Sequence, residues 1–251
     1  MFKIASRPGL RLLFIGLSLV SSLLTIFFNN QEQTVRASAR SSPSYFSPMR
    51  TVRGKISVIN SKQNDPSNIV VWLEPLSGKK RKNNTDNLVL RQKNKQFSQR
   101  VLIANVGQKV DFPNDDPFNH NIFSNSAVKR FDLGLFQEGE SRTVMFTNPG
   151  VIPVYCNIHP RMKAFIVVVN SPYYGLTNEQ GEIRIKNVPR GRYRLRVWHE
   201  RADEKDLESL TREVRVSRKG SNLGIIEIDE SSYVETPHKN KEGKDYPKPK
   251  S

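Results

Sequence analysis

Between residues 175 and 200 polar and apolar positions alternate with the period of a strand: Ile183 and Ile185, then Tyr193, Leu195 and Val197. Gly181 and "VPRG" (188–191) supply the turns. "TREVRVS" (211–217) and "GIIEIDE" (224–230) continue the series. Upstream, "TVRGKISVIN" (51–60) and "NIVVWLEPL" (68–76) are short runs rich in Val, Ile and Trp, separated by the turn-forming "NDPSN". Between about 89 and 170 the candidate strands are "QFSQRVLIAN", "QKVDFPN", "NHNIFS", "SRTVMFT", "GVIPVYC" and "KAFIVVV", and no sustained helical period interrupts them. Only "RADEKDLESL" (201–210) suits a helical turn. The pattern predicts an all-β protein of sandwiches or barrels.

The N-terminal pattern is different. Lys3, Arg7 and Arg11 precede the uncharged apolar run "LLFIGLSLVSSLLTIFF" (12–28), and "ASA" (37–39) offers a small-x-small cleavage site. Residues 1–39 therefore read as an export segment forming an apolar targeting helix. The run is also long enough to stay in a bilayer. Cleavage and retention as an anchor both remain open, and either puts the rest outside the cytoplasm, in a periplasm or on the outer face of a membrane. Residues 40–50, rich in Ser and Pro, form a linker. From Ser231 to 251 the chain is rich in Lys, Glu and Pro with little apolar content, which predicts a disordered tail.

Charge narrows the partners. The net charge is +16, and the chain stays strongly basic without residues 1–39. An exported protein of this kind favours acidic proteins or an anionic membrane surface. Nucleic acid is a formal alternative, but no motif reads bases and the compartment is wrong, so none is expected as a partner. The basic loop "KKRK" (79–82) is either a solvated loop or a docking element.

Export also makes the single cysteine informative, because exported proteins use cysteines in pairs. Cys156 stands in "VYCNIHPRM", with His159 three residues on and Met162 three further. A buried inert thiol is the plain reading, but these neighbours favour a metal. Thiolate, two imidazoles and a weak thioether form the donor set of mononuclear blue-copper sites, whereas structural zinc prefers several thiolates or histidines. A strand ending at Cys156, followed by a tight loop stiffened by Pro160, can fold His159 and Met162 back over one ion. Of the four histidines, His120 in "FPNDDPFNHNIFS" is the candidate for the second imidazole. His199, beside Trp198 at a strand end, reads as structural, and His238 as part of the tail. Trp72 and Phe165 read as core aromatics.

"FPNDDPFNHNIFS" together with "GVIPVYCNIHPRM" resembles the cupredoxins, the plastocyanin–amicyanin family, over about residues 90–170. The short Cys-x-x-His-x-x-Met loop is similar to that of amicyanin. The resemblance implies a Greek-key β-sandwich and one type 1 copper held by His120, Cys156, His159 and Met162. It also implies that Asn121 steadies the site through hydrogen bonds toward the cysteine loop. "TNEQGEIRIKNVPRGRYRLRVW" resembles the carboxypeptidase-regulatory, transthyretin-like β-sandwich, whose opening strands read like those at 51–77. The expected order is thus opening strands at 51–77, a copper domain at 84–171 and the remaining small sandwich at 172–230, with the copper domain inserted. The simpler alternative gives 51–77 to the copper domain. The layout resembles bacterial exported plastocyanin-like proteins labelled methylamine-utilisation proteins. The function implied is one-electron transfer between redox partner proteins, without catalysis by this chain. A copper-storage or cell-envelope interaction module is the alternative.

Overall fold

The computed structural model describes residues 50–77 and 82–247. The expectations for residues 1–49, for most of the 79–82 loop and for 248–251 lie outside them. In chain order the strands begin with β1 (Arg50–Ile59), β2 (Val70–Pro75), β3 (Leu88–Val89), β4 (Gln92–Lys93), β5 (Gln96–Phe97) and β6 (Val101–Asn105). Then come β7 (Lys109–Pro113), β8 (His120–Asn125), β9 (Arg130–Phe136), β10 (Ser141–Met145), β11 (Gly150–Cys156) and β12 (Lys163–Val169). The last are β13 (Tyr174–Leu176), β14 (Glu182–Val188), β15 (Gly191–Trp198), β16 (Arg212–Val216) and β17 (Ser221–Asp229), with the helix α1 (Glu204–Ser209) before β16.

The first two strands share their sheets with the last five. β1 lies between β14 and β17, antiparallel to the former and parallel to the latter. β2 lies between β13 and β15, with β16 outside β15. The two sheets share a core that includes Val52, Ile56, Leu73, Ile185, Leu195 and Ile226. The alternation along β14 and β15 places every second side chain in that core and leaves the arginines between them outside. The turn into β14 depends on Gly181, whose φ is +72°. A Cβ there would collide with the Ile56 carbonyl, and the Gly181 carbonyl accepts the Ile56 N–H at 2.7 Å.

Residues between β2 and β13 build a second core between the sheets β6-β12-β11-β8-β9 and β10-β7-β3. Phe112, Ile122, Phe136, Phe146, Ile152 and Ile166 lie in it, all buried. Full burial of one such side chain stabilises by about 1.5–3 kcal/mol. β12 explains why "KAFIVVV" is a continuous apolar run. Ala164, Ile166 and Val168 face this core, while Val167 and Val169 pack against Val70, Trp72 and Trp198 of the first pair of sheets. A strand covered on both faces has no polar side. Besides the two-residue strands β3 and β4, the seven-residue β9 has no counterpart among the runs expected from the sequence. Its "RFDLGLF" is interrupted by Asp132 and Gly134, and most of it is only half-covered.

Ion pairs reinforce the contact between the two cores. Arg100 meets Glu200 at 2.6 Å and Lys163 meets the same carboxylate at 3.6 Å. His199 lies close by with a structural role: its Nε2 is 2.7 Å from Glu230, which also accepts from Arg201 Nε at 3.0 Å. Burial pushes the Glu230 carboxyl up, but bonds from Ser61, His199 and Arg201 outweigh it and hold it below its ordinary range. Burial pushes the His199 ring down. Both folded values thus lie below the unfolded ones, so both contributions are complete at neutral pH. The His199 contribution is lost as pH falls below 6.5, and that of Glu230 as it falls below 4.5. Glu230→Ala leaves Arg201 and His199 without their acceptor and should cost about 3–5 kcal/mol in urea unfolding at pH 7. The loss should shrink as the pH is lowered through 4.5.

Candidate metal centre

Cys156 is the last residue of β11 and has no exposed surface. β11 runs antiparallel to β8, with Cys156 opposite Ile122, so the start of β8 reaches the cysteine. That start is His120, also fully buried. After Cys156 the chain folds back at once. The Cys156 N–H donates to the Met162 carbonyl at 3.2 Å, and the Met162 N–H to the His159 carbonyl at 2.9 Å. The Asn157 N–H donates to the Asn121 carbonyl at 2.8 Å, tying the loop to β8.

Three of the four expected donors converge. Cys156 Sγ is 3.5 Å from His120 Nδ1 and 3.6 Å from His159 Nδ1, and the two ring nitrogens are 3.2 Å apart. Their ligand atoms lie within 4.8 Å of one another. Met162 is 1 % exposed and is held in the same loop by both of its backbone groups. Asn121 does meet the cysteine loop, but through its backbone. Its side-chain amide instead donates to Asp132 at 2.6 Å and to the Gly134 carbonyl at 2.9 Å. His199 and His238 stand outside the group.

The electrostatics suit a bound cation. Burial pushes the Cys156 thiol up, but His120 and the backbone N–H groups of Asn121, Ile158 and His159 outweigh it and hold the thiol below its ordinary value. These donors are aimed at a thiolate, the form that binds metal. Burial pushes His120 down, but Cys156 and Asp116 raise it above its usual value. Burial, then the positive charges of His120 and Lys95, push His159 down, which leaves its ring neutral and able to ligate. A buried thiolate, two Nδ1 lone pairs and a loop thioether fit a soft or borderline ion such as copper.

Two features around the site are not apparent from spacing. The first is Asp116, 3 % exposed, whose carboxylate is 2.9 Å from His120 Nε2. The same carboxylate accepts the N–H groups of Asn94 and Lys95, the two positive-φ residues that turn β4 into β5. It thereby fixes which His120 nitrogen faces Cys156. Phe118 lies 5.5 Å from both imidazole rings and covers them. Asp116→Asn keeps the shape and removes the charge behind His120. Metal affinity, read by competition with a chelator, should fall about 10–100-fold.

The second feature is the C-terminal stretch. Composition predicts a disordered tail from Ser231, but the structure lays residues 238–246 against the site-bearing sheets. His238 stacks on Tyr155 at 4.1 Å and 17°. Lys241 pairs with Asp132 at 2.8 Å and donates its backbone N–H to Asn157 at 3.0 Å. The Tyr246 hydroxyl donates to the Cys156 carbonyl at 3.1 Å. A segment too polar to form a core can be ordered by a few specific contacts on an existing surface, which composition does not register.

No family model and no curated protein matches the chain. Among solved structures it is similar to amicyanin from Paracoccus versutus, at 16% identity over 34% of this chain and 84% of that one, with a TM-score of 0.31. It is also similar to a purple cupredoxin from Nitrosopumilus maritimus, at 25% identity over 33% of this chain and 98% of that one (TM-score 0.30). A third is the Cu-containing nitrite reductase from Thermus scotoductus, at 25% identity (TM-score 0.33), where the match covers 38% of this chain and 25% of that one.

Proposed function

We propose that this chain is a cupredoxin-type electron carrier that binds one type 1 copper through His120, Cys156, His159 and Met162. The observation that carries the reading is the convergence of one buried thiol and two Nδ1 atoms within 4.8 Å, from two strands and one closed loop. Copper held by His120, Cys156, His159 and Met162 would supply a Cu(I)/Cu(II) couple, and the Met162 thioether would tune its potential. The chain's own part is to hold the donors still. The loop bonds, the β8–β11 pairing and Asp116 fix the thiolate and the first imidazole, and Phe118 packs against both rings. A rigid donor set keeps rearrangement between oxidation states small. His159 is half-buried while Cys156 and His120 are buried, which makes it the natural port for electrons.

The wider assignments follow from this reading. The copper domain spans about 84–171 and interrupts a transthyretin-like sandwich made of 51–77 and 172–230, and the β1 and β2 pairings support that division. Residues 1–39 export the chain and either leave it or anchor it. The net charge of +16 favours acidic redox partners. No step of chemistry beyond electron transfer is assigned to the chain.

The test is an absorption spectrum of the copper-loaded protein followed by a redox titration. We expect an intense visible charge-transfer band that bleaches and returns reversibly. Met162→Gln should keep copper and lower the potential, because a harder oxygen donor favours Cu(II), and Met162→Leu should raise it. A colourless loaded protein would exclude the type 1 site. A coloured but irreversible one would favour copper storage over electron transfer.

A further inference from the structure

The sheets built from β1, β2 and β13–β17 have a basic end. β1 starts where β14 finishes, since Arg50 stands opposite Val188, and β17 starts beside Val52. β15 starts where β16 finishes, with Gly191 opposite Val216. Both turns at this end, 188–191 and 217–220, and the strand positions next to them carry Lys186, Arg190, Arg192, Arg215, Arg218 and Lys219. All six are exposed. Arg192 stands directly opposite Arg215 in the ladder, an arrangement of like charges that lowers stability unless an anion lies nearby. Arg192 has one exposed partner, Glu213, at 3.4 Å. None of the other five forms an ion pair with a described residue. The far ends of the same strands are mixed in charge: Asp203, Glu204, Asp206 and Glu208 are exposed there, while Glu200 and Glu230 are paired with Arg100, Lys163 and Arg201.

We infer that the basic end, centred on Arg190, Arg215, Arg218 and Lys219, docks the protein on an anionic phospholipid surface. Three features favour lipid as the occupant. The charges sit on the tips of two turns and at strand ends, on long side chains without fixed partners, which suits mobile phosphates better than a stereospecific protein face. Residues 12–28 are apolar enough to deliver the chain to a membrane, whether they are kept or cleaved. Residues 29–49, which can reach at most about 70 Å, lead into β1 at this same end. The membrane met in the cell rests on the export reading, but the docking surface itself does not.

The orientation that follows is useful to an electron carrier. Phe165 packs against Trp198 at 5.1 Å, and Lys163 reaches Glu200, so the Cys156–Met162 loop lies beside the far end of β15. Seven residue steps along β15 separate that end from Gly191, roughly 23 Å at ~3.3 Å each. Docking by the basic end therefore leaves His159 turned toward solvent.

The experiment uses the full chain reconstituted into phosphatidylcholine vesicles with and without phosphatidylglycerol. A membrane-impermeant amine reagent is applied, and labelling at each lysine is read by mass spectrometry. With phosphatidylglycerol at low salt, Lys186 and Lys219 should become about threefold or more less reactive, and high salt should restore them. Lys95, beside the candidate metal centre, should not change. Arg190→Gln combined with Arg215→Gln and Arg218→Gln should abolish the protection of Lys186. Equal labelling in both vesicles would overturn the proposal. So would polyglutamate, offered as an acidic-protein probe, displacing the lipid and protecting the same two lysines. Labelling does not depend on copper, so a failure here is distinct from a failure of the type 1 assignment.

Discussion

Cys156→Ser should remove the visible charge-transfer band of the Cu(II)-loaded protein completely. Among the four proposed donors only the thiolate has sulfur orbitals that can give an intense band, and Cys156 is the chain's single cysteine. The serine hydroxyl stays protonated at neutral pH and is a hard, weak donor. The backbone N–H groups of Asn121, Ile158 and His159 would then face a neutral oxygen in place of a thiolate. The loop should survive, because it is closed by Cys156 and Met162 backbone groups that the change leaves alone. His120→Ala should also destroy the band, since it opens one side of the group and removes the imidazole that Asp116 holds, leaving that carboxylate only the Asn94 and Lys95 N–H groups. His199→Ala should leave the colour intact and lower stability, because that ring belongs to the Glu230 cluster. The opposite behaviour of the two histidine variants would mean that the site is built elsewhere.

The second large effect concerns the first two strands. A fragment of residues 172–251 should fail to fold, because it lacks the central strand of one sheet and an inner strand of the other. Val52, Ile56, Val58, Ile69, Val71 and Leu73 are buried in the shared core. Losing all six removes on the order of 10–20 kcal/mol of burial, against the ~5–15 kcal/mol by which a whole domain is normally stable. Joining 51–77 to 172–229 by a short Gly/Ser linker should restore a cooperative urea transition. A fragment of 84–172 should fold and bind copper, since it holds its own core and all four proposed donors. If instead 172–251 folds alone and 84–172 requires 51–77, the two units are consecutive rather than nested.

Short-range periodicity and residue spacing were legible along the chain. β14 and β15 alternate because one face is buried, and "KAFIVVV" runs apolar because β12 is covered on both faces. Cys156, His159 and Met162 stand three residues apart, and Pro160 between the last two stiffens the loop that follows the strand ending at Cys156. Tertiary structure decided what depends on partners far along the chain. β9 is stabilised by its pairing with β8 rather than by its own pattern, so its sequence is weak. Which histidine lies against Cys156 was decided by the β8–β11 register, which puts His120 within reach although it stands 36 positions earlier in the chain. Asp116 was legible as a carboxylate four residues before His120. Its role was not, because it depends on a turn that aims that carboxylate at Nε2. The tail's contacts with Tyr155, Asp132 and Cys156 were invisible for the same reason. Periodicity reports which face of a segment is buried, and pairings between distant segments leave no local trace.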